Sequence, residues 1–321
     1  MKKTGLLLLL LMMVTATFAL AQQLTTAVTP DASGIVNTPV NVPFVRYQTP
    51  TAADIYCAGF LTKERVPDAN YVNGGLETPT STKFQNGNLV YLAGTGYQAG
   101  QLYSIVREMR DVNEYEIYPG QRKVLAAAGR PYGEIGRVLV VDTRSHSAIA
   151  QVVFSCDPIN PGDLAIPFVE KQPIAFHVPG HFDRFAPANG KLTGRVVLGK
   201  DFDGFLGTGM KLYMNVGANQ GVKVGDYFRV VRPYTSTLQD PVDSLSFKAQ
   251  TSEDTQMRPP AFEASRFTKP KGPNIHVSDL PRRAVGEVVV LNVTPTASSA
   301  MVVFALEDVH AGDTVELDEL Q

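Results

Sequence analysis

The sequence predicts an all-β fold: two tandem small barrels of five or six strands each, preceded by a disordered N-terminal leader. Three observations carry this reading. First, a pattern recurs 150 positions apart. Gly136-Arg-Val-Leu-Val-Val runs on to Ala150-Gln-Val-Val-Phe154 and ends at Gly162-Asp163; Gly286-Glu-Val-Val-Val-Leu runs on to Ala300-Met-Val-Val-Phe304 and ends at Gly312-Asp313. No gap is needed over these 28 positions, as expected of two copies of one module. Second, the apolar runs are short, β-branched and bounded by Gly, Pro, Asn and Asp, which is how strands read. Third, only one segment, Gln121 to Gly129, reads as a helix.

Taken in order, residues 1–21 read as a secretory signal. Lys2 and Lys3 form a positive start, Leu6 to Val14 an apolar core too short to span a bilayer, and Ala19-Leu20-Ala21 a small-residue cleavage site. Cleavage after Ala21 is expected to leave the mature protein outside the cytoplasm. Residues 22–53 are rich in Thr, Pro, Val and Ala and read as an extended leader. Module 1 covers 54–168, with strand-like runs at Ile55 to Leu61, Asn88 to Leu92, Leu102 to Arg107, Gly136 to Val141 and Ser147 to Phe154.

A linker follows at 169–191, within which Pro173 to Val178 is expected to pack across the junction. Module 2 covers 192–321. Its runs Gly194 to Leu198, Lys211 to Asn215 and Tyr227 to Arg232 are matched in order to Ile55 to Leu61, Asn88 to Leu92 and Leu102 to Arg107. Gly225 falls on Gly100, an offset of 125, so module 2 carries an insertion. That insertion is 233–281, polar and proline-rich with no sustained period, which reads as a flexible surface loop.

With 44% apolar residues and about 300 residues after the signal, both modules can build their own cores. The net charge of -2, which becomes -4 when Lys2 and Lys3 leave with the signal, gives no electrostatic footprint for nucleic acid. No later apolar stretch is long enough for a transmembrane helix. The chain has no tryptophan, which disfavours a sugar site built on stacked indoles. Its two cysteines, Cys57 and Cys156, are expected to pair in an oxidising compartment and to lock the seam between the first and last strands of module 1.

The residues offer no catalytic, cofactor or metal site that rises above a structural reading. His177 and His181 have the spacing of a helical metal pair, but Pro179 and Gly180 make a helix there improbable. Asp201-Phe-Asp203-Gly204 lacks the third ligand position and closing glutamate of a calcium loop and reads as a turn. Glu114 with Glu116, or Glu307 with Asp308, are nominal carboxylate pairs for a hydrolase. Gly162-Asp163, Gly225-Asp226 and Gly312-Asp313 repeat one turn device, glycine for positive φ and aspartate for a cap, and point to folding rather than chemistry. Arg107, Arg110, Arg122, Lys123, Arg130, Arg137 and Arg144 are interleaved with acids and read as solvated charge. Tyr71, Tyr91, Tyr97 and Tyr132 are nominal platforms for a carbohydrate.

The stretch Gly217 to Arg232, followed by Gly286 to Asp313, resembles the C-terminal β-barrel module of flagellar assembly protein T. It is also similar to modules found beside LysM domains in Gram-negative envelope proteins. The shared order is N-x-G, then G-V-x-x-G-D-x-[YF]-x-V-x-R, G-E-V-x-V, S-A-x-V and G-D. The resemblance implies a periplasmic, non-enzymatic part of an envelope assembly; no LysM motif is present, so peptidoglycan binding does not carry over with it, and the expected partners are envelope proteins or, independently of the resemblance, peptidoglycan. The expected role is therefore a structural or interaction module, with loops 108–135 and 233–281 as contact surfaces. The alternatives are a carbohydrate-binding module and a secreted hydrolase of unrecognised type.

Overall fold

The computed structural model describes residues 47–78, 80–111, 116–143, 146–176, 182–232 and 282–318. The signal segment, leader residues 22–46, the insertion 233–281, His177, His181, Glu114 and Arg144 lie outside them.

The chain forms two closed six-stranded antiparallel barrels. In barrel 1 the strands are β2 (Tyr71–Gly75), β3 (Leu89–Ala93), β4 (Leu102–Glu108), β5 (Arg130–Asp142), β6 (Ala148–Ser155) and β7 (Leu164–Pro167). They close in the order β5-β4-β7-β2-β3-β6, with β6 returning to β5, and a short strand β1 (Phe60–Thr62) adds to the start of β5. Two helices accompany it, α1 (Ala52–Tyr56) and α2 (Gln121–Ala128).

In barrel 2 the strands are β8 (Thr193–Gly199), β10 (Lys211–Met214), β11 (Tyr227–Arg232), β12 (Arg283–Val293), β13 (Ser298–Ala305) and β15 (Thr314–Asp318). They close in the order β10-β13-β12-β11-β15-β8, and β9 (Phe205–Leu206) pairs with β14 (Val309–His310) beside them. Each barrel encloses its own apolar cluster: Val72, Val90, Leu92, Ile105, Val138 and Val152 in the first, Val196, Leu212, Met214, Phe228, Val288 and Val302 in the second.

The two ring orders correspond strand for strand, and the correspondence reaches the bulges. A β-bulge offsets the register at Ile105/Val106 and at Val230/Val231, at Arg137/Val138 and at Glu287/Val288, and at Val140/Asp142 and at Val290/Asn292. Gly136 and Gly286 sit at the first of these bends for one reason. A Cβ at Gly136 would lie 2.5 Å from the Phe154 carbonyl oxygen, and one at Gly286 would lie 2.5 Å from that of Phe304.

Three expectations need correction. Ile55 to Leu61 is not a strand. Thr51 and Asp54 form a reciprocal capping box that starts α1 at Ala52, and the chain turns through Gly59 at φ +67 before the three-residue β1. The true counterpart of β8 is β2: Gly162 N–H donates to Val72 O, as Gly312 N–H donates to Val196 O. Finally, the matching of Lys211 to Asn88 slips by one. Cross-strand partners set Leu89 opposite Gln151 and Lys211 opposite Met301, so Lys211 corresponds to Leu89 and Tyr213 to Tyr91. A one-residue slip exchanges the inward and outward faces, so the register decides which side chains are available for contact. The helix expected at Gln121 to Gly129 is present as α2.

Candidate interaction surfaces

The central strands of barrel 2 are buried on both faces, with Val288, Val289, Val290 and Leu291 all shielded from solvent. Val288 and Val290 point into the barrel, while Val289 and Leu291 point out and are covered by the other half of the chain. The cover is a wedge of α1, β1 and α2. Ile55 and Ala58 pack on Tyr227, Val289, Met301 and Val303; Leu61 and Ala128 pack on Val197, Leu198, Tyr213 and Ala297. Each fully buried aliphatic side chain contributes about 1.5–3 kcal/mol, so the two barrels form one body rather than beads on a linker.

Polar groups fix the wedge in place. Ser299 Oγ donates to Gly59 O at 2.7 Å, Thr294 Oγ1 to Leu61 O at 2.7 Å and Thr296 Oγ1 to Ala128 O at 2.6 Å. Gln121 Nε2 donates to Val197 O at 2.9 Å. Lys211 Nζ lies 2.8 Å from Asp54. Burial alone would raise the Asp54 carboxyl, but hydrogen bonds from Lys211 and Thr51 outweigh it and hold Asp54 below the usual carboxylate range. From the linker, Ile174 and Phe176 pack against the same junction. Lys171 Nζ sits 2.6 Å from Glu134 and donates to Ile55 O. Burial pushes Glu134 up, and Lys171 opposes that rise. The contact surface expected over 108–135 is therefore used within the chain where it forms α2 and the start of β5.

The disulfide joins Cys57 and Cys156, with Cα atoms 5.8 Å apart. The expected pairing is present, but its position differs from the expected seam. Cys57 caps the C-terminus of α1 and Cys156 follows β6, so the bond ties the wedge to barrel 1. The seam between the first and last strands of barrel 1 is closed instead by β2 against β7, where Tyr71 faces Leu164.

The repeated turn aspartates hold matching ion pairs. In barrel 1, Arg107 Nε and Nη2 donate to Asp163 Oδ1 and Oδ2, both at 2.6 Å, and Nη2 also donates to Pro158 O. In barrel 2, Arg232 Nε and Nη2 donate to Asp313 Oδ1 and Oδ2 at 2.9 and 2.7 Å, and Nη2 also donates to Asp308 O. The carboxylates further accept from Asn160 N–H and His310 N–H respectively. A planar guanidinium fork on a carboxylate is the strong, directional form of an ion pair. Here it clamps the turn before the last strand onto the end of the third strand of that barrel. Asp226 caps its own turn by accepting from Lys223 N–H at 2.8 Å, and Gly162, Gly225 and Gly312 all have φ between +91 and +105. The arginine half of this clamp escaped the sequence reading, although Arg107 and Arg232 occupy one repeat position.

The other nominated residues do not converge. Tyr132 is buried and stacks on Phe60, Tyr97 donates to Ala93 O and packs on Tyr103, and Tyr71 and Tyr91 lie on separate strands. Glu116 accepts from the N–H groups of Gly120 and Arg122 at the start of α2, and these bonds hold its carboxyl below the usual range. Glu307 pairs with Arg283 and Arg184. Asp201 and Asp203 flank Phe202, a non-glycine residue at φ +64 whose ring packs against the α2 cluster, so packing accounts for the shape of that turn. Arg137 lies 4.3 Å from the Tyr56 ring centre and 3.8 Å from that of Phe168, a cation–π contact with two neighbouring rings at the foot of the wedge.

Among the described residues no group of three or more His, Cys, Asp or Glu side chains is placed to hold a metal, and no helix is long and apolar enough to cross a membrane. No protein-family model matches the chain, and no curated protein matches it.

Proposed function

We propose that this chain is an exported, non-enzymatic component of the cell envelope that serves as a rigid two-barrel platform for other envelope proteins, with the cell wall as the alternative target. One observation carries the reading: the ionisable residues the two halves share, Arg107–Asp163 and Arg232–Asp313, are engaged in clamping equivalent turns. Repeated charge of this kind maintains shape. The disulfide is consistent with an oxidising compartment outside the cytoplasm. The resemblance of the second module to the flagellar assembly protein T barrel points the same way, to a periplasmic assembly part with its signal removed after Ala21.

The test is crosslinking in intact cells that express the full chain, followed by identification of the adducts and of the mature N-terminus. The reading predicts adducts with envelope proteins and a chain beginning at Gln22. A protein that stays cytoplasmic would overturn export. A secreted protein with no protein adduct that sediments with purified peptidoglycan would shift the target to the wall. One that does neither would overturn the platform.

A further inference from the structure

We infer that the Cys57–Cys156 bond is a redox latch on α1: a dithiol reductant opens it, α1 lifts, and the outer face of barrel 2 beneath it is uncovered. The bond lies outside the repeated unit. Cys57 stands before β2, the first repeated strand, and the barrel 2 counterpart of Cys156 is Leu306. Barrel 2 closes in the same ring order with no cysteine, so the bond is not what closes a barrel. What it holds is α1. That helix has five residues, far below the length at which a helix is stable alone, so its order comes from its attachments. The bond is fixed at its C-cap, where Cys57 N–H donates to Ala53 O, and Gly59 at φ +67 gives a bend two residues on.

The repeat also shows that the covered face tolerates water. Under Ile55 and Ala58 lie Tyr227, Val289, Leu291, Met301 and Val303, each at most 1% exposed. The registers set Leu139, Val141, Gln151 and Val153 of barrel 1 on the last four, and there Val141 is 46% exposed and Val153 42%. One barrel thus stands with this face open and the other with it covered, so the cover is an added element. Its covalent fastening is within reach of a reductant, because Cys57 and Cys156 are half-buried rather than enclosed. A thiolate of the dithiol attacks one sulfur of the bond and releases the other, and its second thiol resolves the mixed disulfide. Two electrons and two protons pass to the chain, leaving Cys57 and Cys156 as thiols and the reductant as a disulfide. Without the bond, α1 is held by Ile55, by the Asp54–Lys211 pair and by the Lys171 contact with Ile55 O, and it opens more often.

This inference deepens the platform reading, on which it rests for the oxidising compartment and for the use of a surface, by giving one surface a control. Hydrogen exchange of the purified chain, oxidised and after dithiothreitol, tests the latch directly. At exchange times of seconds to minutes, where local opening dominates, amides of 52–58 are expected to exchange about tenfold faster or more after reduction, while those of β12 and β13 stay protected. In intact cells, alkylation trapping is expected to find part of the chain with free thiols. Cys57→Ser with Cys156→Ser, which cannot latch, is expected to gain a crosslink to an envelope protein that maps to β12 or β13. Unchanged exchange at 52–58 would overturn the latch, as would protection lost throughout both barrels together or a chain found in cells only as the disulfide. A double variant with the same crosslinks as the wild type would overturn the control and leave the platform standing. A chain that makes no crosslink in either form, yet opens at 52–58 on reduction, would overturn the platform and leave the latch.

Discussion

Replacing Asp313 by asparagine tests the clamp where it is most buried. Asp313 is 4% exposed and Arg232 5%. The substitution removes the charge that receives two arginine N–H groups, and an amide retains one oxygen for three donors: Arg232 Nε, Arg232 Nη2 and His310 N–H. Breaking a buried pair by neutralising one partner costs about 3–5 kcal/mol, because the remaining charge stays desolvated. Glu307 Oε2, 3.7 Å from Arg232 Nη1, supplies some compensation, which sets the expectation at about 3 kcal/mol, the low end of that range.

The matched change in barrel 1, Asp163→Asn, leaves an arginine whose side chain is 30% exposed and that water can solvate, so about 1–2 kcal/mol is expected. The assay is urea unfolding at pH 7, followed by far-ultraviolet circular dichroism. With a denaturant slope of about 3 kcal/mol/M the midpoints fall by about 1 M and 0.5 M respectively. A loss below about 1 kcal/mol for Asp313→Asn, or a larger loss at Asp163, would refute the reasoning that burial sets the strength of the clamp.

Other outcomes follow from the same structure. Cys57→Ser with Cys156→Ser opens a loop of 99 residues in sequence separation, and the chain-entropy relation gives a loss of about 4–5 kcal/mol, read as the difference between oxidised wild type and variant in urea. Burial, with help from Asp318, pushes Glu287 up to about 8 against the opposing pull of Arg229. The unfolded chain ionises this carboxyl near pH 4.5 while the folded chain keeps its proton, so stability contributed at low pH is lost as pH rises from about 4.5 to 8. Glu287→Gln is expected to flatten that slope and to raise stability at pH 8 by a few kcal/mol, at about 1.4 kcal/mol per pH unit. Burial pushes His310 down to about 4, and Arg232 adds to the shift. The unfolded chain takes up a proton below about pH 6.5 and the folded chain does not, so stability falls as pH drops from there toward 4; His310→Gln is expected to remove this fall. Gly136→Ala and Gly286→Ala each force a Cβ to within 2.5 Å of a carbonyl oxygen. Each is expected to lower the melting temperature, and by similar amounts.

The barrels were legible where the two halves share their bends. Gly136 and Gly286, and the turn pairs ending at Asp163 and Asp313, lie at a constant offset because the same bulges and clamps recur. The first strand of barrel 1 was not legible, for a physical reason. Tyr71-Val-Asn-Gly-Gly75 has the composition of a turn, and Gly75 is there because Phe84 occupies the space its side chain would need. The apolar run at Ile55 to Leu61 has the composition of a strand, yet it is the wedge that buries barrel 2, and the Thr51–Asp54 box that makes it helical is a local signal easily overlooked. The pairing of Cys57 with Cys156 followed from compartment logic alone; its place in the fold depended on that wedge. The hydroxyl contacts of Thr294, Thr296 and Ser299 had no sequence signal, since they join segments more than 160 positions apart. The covering of barrel 2 left no trace in the sequence either, because Val138-Leu-Val-Val141 and Val288-Val-Val-Leu291 are equally continuous apolar runs and only the wedge buries the outer face of the second.

The central claim is that two copies of a single closed strand unit share residues that maintain shape. A crystal structure of the mature chain, with Tyr71–Pro167 laid on the segment from 195 to 318, tests it most directly. The account predicts one ring order in both halves, three bulges at matched positions, and a guanidinium fork on the last-turn aspartate in each. A different strand order in either half, or Arg107 and Arg232 turned toward unrelated partners, would contradict it.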